Sequence, residues 1–307
     1  MKFIKMIILF LFVININLVG NDFTKLLINQ EYDKYIIKVD SIHNQNEKML
    51  LMSIYYTQYM IDYYNNQFED SLVSIVNKVS RLNKKDREFY FLKGAIYMNY
   101  AFYLQFKGDV FKSLNYGQKS ISYLNRVDST SDKYIDAKLG IAFYNYGIGK
   151  LFFQKRRIKK GLDLIDYVAN NGKYFDLLAS NIEILLLYNE RQYDKGIEIS
   201  CKLLDEFPNS RLTLWAVVKG YRYIGQNDSL AKYLSLLTSN IESENKQNEY
   251  NLLTVYDWTI NNYLKNNRIE DAYSLIVNIK ELNPKGKYIK DINALKKRIL
   301  KKYDKIN

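Results

Sequence analysis

Tyr188-Asn189-Glu190-Arg191-Gln192-Tyr193-Asp194-Lys195-Gly196 is the stretch on which the fold turns. A helical apolar pattern stops at a polar turn, restarts at an aromatic residue, and meets a small residue three places later. The small residue lets two helices of one pair approach closely. Twelve residues on stands Pro208. A helix must have ended by then, because proline lacks an N–H and clashes with the preceding turn. The same grammar recurs at Ile269-Glu270-Asp271-Ala272, with Pro284 twelve residues past Ala272. These are the only 2 prolines in the chain, and they hold the same place in a recurring helix pair.

Working outward, Leu177–Glu244 reads as two consecutive helix–turn–helix units. The first carries Tyr193, Asp194, Gly196 and Pro208. The second starts at Arg211 and carries Trp215, Tyr221, Gly225, Leu230 and Leu237. On these residues the chain resembles the tetratricopeptide repeat, a helix pair of about 34 residues that stacks on its neighbours. Setting the small residue at place 20 starts units near Met52, Gly94, Ala142, Leu177, Arg211 and Leu253. Place 20 is then Ser71, Ser113, Gly161, Gly196, Leu230 and Ala272, and place 27 is Lys78, Ser120, Val168, Leu203, Leu237 and Ile279. The pattern departs at Leu230, where Ala231 is one place late, and at Lys78, a poor buried residue. The resemblance implies an all-α, right-handed α-solenoid of about six hairpins. A cap would occupy 22–51, the repeats 52–283 and a basic capping helix 284–307.

Composition agrees with helices. Apolar residues make up 48% of the 307, enough for a core, and 13 glycines with 2 prolines are too few for the turns of a sheet protein. The abundance of Asn, Lys, Ile and Tyr is the codon signature of an AT-rich genome, read here as bacterial. Residues 1–20 differ from the rest. Lys2 and Lys5 precede the apolar run Met6–Ile14, which Asn15 and Asn17 dilute. A basic start and a short apolar core describe a secretory signal, with cleavage after Gly20. The run is too short for a membrane span, which takes about 20 apolar residues. A buried first helix is the other reading. No cysteine follows the run, which argues against a lipid anchor. The expected location is the periplasm or envelope of a bacterium.

In chain order, Tyr32, Tyr35, Ile36 and Val39 give Asp22–Asn46 the spacing of half a unit, suited to covering one end of a stack. Asp86 is a good N-cap for a helix running to about Phe106. Gly108-Asp109 turns the chain. Asp128–Asp132 is a polar loop before a long helix over about Lys133–Phe153. Gly140, Gly147 and Gly149 cost that helix roughly 1 kcal/mol each against alanine. They point to close packing or to a kink. Gln154–Lys160 is a basic turn, either solvated or an anion contact.

No catalytic set emerges. His43 and Cys201 are the only residues of their types and lie on different units, a poor nucleophile–base pair. Neither has partners at zinc spacing, and no phosphate-binding glycine loop is present. A carboxylate pair stays open among the many acids, but no spacing selects one. Cys201, between Ile199 and Leu203, reads as a small buried hydrophobe or a reactive thiol. The expectation is a non-enzymatic protein with no cofactor and no metal.

A binding surface remains. In the family resembled, places 2, 5, 9, 12 and 13 face a concave groove. Carried over, they give Phe143, Tyr146 and Lys150, then Asn181, Leu185, Tyr188 and Asn189. The last two units add Trp215, Lys219, Arg222 and Tyr223, with Asp257 and Asn261. Trp215, Lys219 and Arg222 also share a helix face by their own spacing. Aromatic bodies beside cationic tips are what peptide hot spots use. Arg222 could meet a carboxylate bidentately while Trp215 covers an apolar side chain; alternatively Trp215 packs within the stack and Arg222 is merely solvated. Most of the 29 tyrosines read as filler between helices. The expected partner is a protein or peptide with carboxylate groups. A structural or assembly factor working through its ends, or a small-molecule or glycan binder, are the alternatives. Lys285–Asn307 holds nine basic and two acidic residues, a large share of the net +12. Ile289, Ile292, Leu295, Ile299 and Tyr303 would share its apolar face. It could cap the stack or touch an anionic membrane surface; nucleic acid does not suit an exported chain.

Overall fold

The computed structural model describes residues 21–82, 87–131, 133–173, 175–243, 248–284 and 289–304. The expected secretory signal and the expected N-cap Asp86 lie outside the described residues. Among the described residues there are fifteen α-helices and no strand. They are α1 (Asn21–Ile28), α2 (Tyr32–Asp40), α3 (Gln45–Asp62), α4 (Glu69–Arg81) and α5 (Arg87–Phe106). Next come α6 (Val110–Leu124), α7 (Tyr134–Leu151), α8 (Lys155–Asn171), α9 (Asp176–Asn189) and α10 (Tyr193–Glu206). The last are α11 (Arg211–Ile224), α12 (Asn227–Glu242), α13 (Glu249–Lys265), α14 (Ile269–Glu281) and α15 (Ile289–Lys302). The chain is an all-α helical repeat.

The repeat is visible in the backbone of its turns. The turns after the odd-numbered helices α1 to α13 each hold one left-handed residue: Gln30, Tyr64, Gly108, Phe153, Arg191, Gly225 and Asn267, with φ between 50° and 86°. This is the αL conformation that ends helices and reverses the chain. Side chains with a Cβ occupy it at a cost, so glycine and asparagine are natural there, whereas Tyr64 and Phe153 are not.

These turns set the register. Place 20 falls three residues into the second helix of a pair, at Ser113 of α6, Gly196 of α10, Leu230 of α12 and Ala272 of α14. The first pair then has Leu72 there, not Ser71, and the third has Ile158, not Gly161. The shift brings fully buried Val79 to place 27 in place of the exposed Lys78; in the third pair Ile165 and Val168 are both fully buried, and Gly161 is the small residue packed against Ala142 and Tyr146. Leu230 is in register and buried, and Ala231 is not in its place.

The helices divide between two compact units. Unit 1 takes the described residues up to Ile61 with Phe68–Gln192; unit 2 takes Asp62–Gln67 with the described residues from Tyr193 onward. The division falls in the turn after α9.

In unit 1, α4 to α9 pack each against the next in sequence order. Small residues permit the approach. Ser113 and Ser120 of α6 donate their hydroxyls to the carbonyls of Ala101 (2.8 Å) and Gly94 (2.6 Å) on α5. The N-terminal segment is a pair of short helices, more than the half unit its spacing suggested. Tyr32 and Tyr35 of α2 enter an aromatic cluster with Tyr55, Tyr59 of α3 and Phe68. α1 also meets α9, so the first and last helices of unit 1 touch.

In unit 2, α10 to α14 again pack in sequence order, and α15 lies on α13 and α14. Leu214, Val217 and Val218 of α11 join Leu234 and Leu237 of α12 and Val255 and Ile260 of α13 in one core. Ser210 caps α11 by accepting from the Thr213 N–H at 3.2 Å. α15 covers the end of this core with Ile292, Ile299 and Tyr303, whereas Ile289 stays exposed. The segment Asp62–Gln67 is built into the same unit. Asp62 forms a buried ion pair with Arg211, and its carbonyl accepts from Asn251 at 2.9 Å. Tyr64 stacks on Tyr250 with ring centroids 4.0 Å apart.

Candidate functional site

Seven of the sequence-predicted residues belong to unit 1 and six to unit 2. In unit 1, Tyr188 and Asn181 are interior, at 2% and 3% exposure. Asn181 donates to the Leu177 carbonyl one turn back, at 2.9 Å. Phe143 and Leu185 are likewise buried. Tyr146 and Lys150 converge on Glu190, at 2.8 Å and 2.9 Å. Burial, then the bond to Glu190, raises the Tyr146 hydroxyl far above the ordinary phenol range. These groups satisfy one another and leave little to offer a ligand.

In unit 2 the residues form a surface. α11 is amphipathic, with Leu214, Val217 and Val218 inward, Trp215 and Lys219 half-buried on its flank and Arg222 exposed. The Trp215 ring meets Trp258 of α13 edge-to-face, centroids 5.3 Å apart and planes at 88°. The Arg222 guanidinium lies 4.4 Å from the centre of the Trp258 ring, a cation–π contact, while the arginine itself stays exposed. Lys219 stands between Trp215 and Arg222 in sequence. Burial, and then repulsion from Arg222, pulls its ammonium down to about 8.

The acid of the set is already engaged. The Asp257 carboxylate accepts from the Tyr303 hydroxyl at 2.7 Å and from Lys302 at 2.8 Å. Asn261 donates to the Asp257 carbonyl at 2.7 Å. Burial and the Asp257 contact raise the Tyr303 pKa, and nearby Arg222 opposes the shift. Tyr223 stacks on Tyr193 of α10 at 5.0 Å. The patch therefore joins half-buried Trp215 and Lys219 to exposed Arg222 over buried Trp258, with Asp257 held by Lys302 and Tyr303.

Sequence reasoning missed Trp258, one place beyond Asp257 and one of the 2 tryptophans. Its signal was its rarity. Also missed was Arg211, read only as the start of a unit; it is fully buried. Cys201 is half-buried, its sulfur 3.8 Å from the Tyr221 hydroxyl, and His43 is exposed. Among the described residues no group of three or more His, Cys, Asp or Glu could hold a metal ion.

No protein-family model matches the chain. A 182-residue stretch, 57% of the chain, is 26% identical to part of Protein Ycf2 of Physcomitrium patens. The chain spans only 7% of that protein, so what Ycf2 does carries nothing here. The crystal structure of the apo form of RapI superposes with a TM-score of 0.46 and 11% identity. The superposition covers 93% of this chain and 85% of RapI. Likeness at that level carries no argument.

Proposed function

We propose that this is a binding protein, not an enzyme, and that unit 2 captures an anionic segment of a protein or peptide on α11 and α13. The observation that carries the reading is the exposed Arg222 guanidinium held on the face of Trp258 with Lys219 beside it. A guanidinium fixed on an indole keeps its outer N–H edge free for a carboxylate. The half-buried Trp215 ring, packed edge-on against buried Trp258, offers the apolar area next to it that interface hot spots use. Asp257 does not compete for the ligand, because Tyr303 and Lys302 occupy it. Relation to the tetratricopeptide repeat, suggested by place 20 and the prolines, belongs to the same proposal.

The basic start and the Met6–Ile14 run support export to a bacterial envelope, which N-terminal sequencing of the mature protein would test. The tail supports capping first, since Ile292, Ile299 and Tyr303 are spent on the core. Its outward Lys290, Lys297, Arg298 and Lys301 are the solvated face of that cap.

A cross-linked pull-down from the native envelope tests the capture surface. Arg222→Glu and Trp215→Ala are each expected to cost about 2 kcal/mol of binding or more, at unchanged helicity. Partners recovered equally by wild type and both variants would end the reading.

A further inference from the structure

The turn between α7 and α8 in unit 1 breaks three rules at once. Phe152 and Phe153 are exposed at 59% and 82%, where large rings normally seek cover. Phe153 is held at φ 56°, a backbone that bulky side chains rarely adopt. Lys155, Arg156, Arg157, Lys159 and Lys160 then crowd the first turns of α8 and point outward. A helix start carries positive partial charge, so cations there oppose the dipole. α8 has no acidic residue in its first turn, and its N-cap Gln154 makes no capping bond. The left-handed turn belongs to the repeat, but the fold does not require a bulky ring at it, a second exposed phenylalanine beside it or the basic run after it.

A third exposed aromatic stands at the same end. Phe111 opens α6 and is 88% exposed. α6 and α7 run antiparallel: a Cβ on Gly117 would lie 3.6 Å from Tyr144, and Gly140 faces Leu124 farther along. Extending that pairing sets Phe111 level with the last turn of α7, the end from which Phe152 and Phe153 follow. Lys112 follows it, also exposed.

We propose that this end of unit 1 docks onto an anionic lipid bilayer. Exposed phenylalanines would enter the headgroup–acyl boundary, and the basic run would meet the phosphates and carboxylates of acidic lipids. A soluble acidic protein or a nucleic acid would also use cations beside rings, so polyglutamate and an RNA oligonucleotide are arms of the test below. Two signals, apolar and basic, are what reversible surface anchoring requires. No helix among the described residues is long and apolar enough to cross a membrane, so the contact is peripheral. The site is separate from α11 and α13, and its failure would leave the capture surface untouched.

Flotation of the full chain with vesicles tests this. Phosphatidylcholine–phosphatidylserine vesicles are expected to bind it, weakening with salt, and pure phosphatidylcholine vesicles far less. Arg156→Gln with Arg157→Gln should weaken binding about 25-fold, at roughly fivefold per charge. Phe152→Ser with Phe153→Gly should weaken it at least about tenfold. Both doubles relieve an unfavourable feature of the turn, so neither is expected to lower the melting temperature. Lys297→Glu with Lys301→Glu on α15 should leave binding within about twofold. The proposal is overturned if acidic vesicles fail to bind, if both turn variants bind like wild type, or if only the α15 variant loses binding. It is also overturned if soluble polyglutamate or an RNA oligonucleotide binds as tightly and ignores the phenylalanine changes.

Discussion

Lys219 is where the proposed chemistry and the stability of unit 2 meet. Burial and Arg222 lower its pKa from 10.5 to about 8. A depressed lysine makes the folded state bind fewer protons than the unfolded state between those values, so stability rises with pH across that window. Below about pH 8 the ammonium is charged in both states and its burial penalty is felt in full. Urea melts of wild type and Lys219→Met should therefore differ most near neutral pH, with wild type gaining on the variant toward about pH 10. Taking the difference removes Tyr146, Tyr256 and Tyr303, whose raised pKa values act oppositely in alkali. Anionic-peptide affinity should fall over the same range and lose that dependence in Lys219→Met. A constant difference between the two melts would return Lys219 to the solvent. The cluster Trp215, Lys219 and Arg222 was legible as one helix face from its spacing. Trp258 was not, because it comes from another helix and only packing brings its ring beneath Arg222.

Helix α7 answers a question that the sequence left open. Its three glycines suggested close packing or a kink, yet the helix runs unbroken from Tyr134 to Leu151. A Cβ on Gly149 would lie 2.7 Å from the Ile158 backbone nitrogen, and one on Gly140 would strike the Leu124 side chain. One on Gly147 would meet nothing within 4 Å. Gly147→Ala is thus expected to stabilise by about 0.5–1 kcal/mol through helix propensity. Gly149→Ala should destabilise by about 1–3 kcal/mol, since backbone cannot move aside cheaply. Thermal melts showing the same sign for both would contradict the packing. Helix pairs were readable here because apolar period and turn residues are local. The register of the first and third pairs was not. It depends on which residue takes the left-handed turn, and Tyr64 and Phe153 carry no signal for one.

Across the whole chain, the ties that matter most join distant residues. Arg211 and Asp62 are 149 positions apart and both buried. Removing one partner strands a buried charge and typically costs about 3–5 kcal/mol, far more than the pair itself contributes. Arg211→Met in the full chain should lower the urea midpoint by that order. A fragment beginning at Tyr193 lacks Asp62 altogether, so there the same substitution should raise stability. Destabilisation in both contexts would show that Arg211 acts through some other contact. The same fragment also lacks the Asn251–Asp62 bond and the Tyr64–Tyr250 stack.

The sequence by itself determined that this chain is helical, that its helices come in pairs, and which aromatic and basic residues share the face of α11. Those follow from apolar period, small residues and prolines, each acting within a turn or two of its own position. Only the tertiary structure decided that α1 meets α9, that Asp62–Gln67 belongs with unit 2, and that Trp258 lies under Arg222. Such contacts join residues far apart in the chain and need side chains from several helices at once, which no local pattern records.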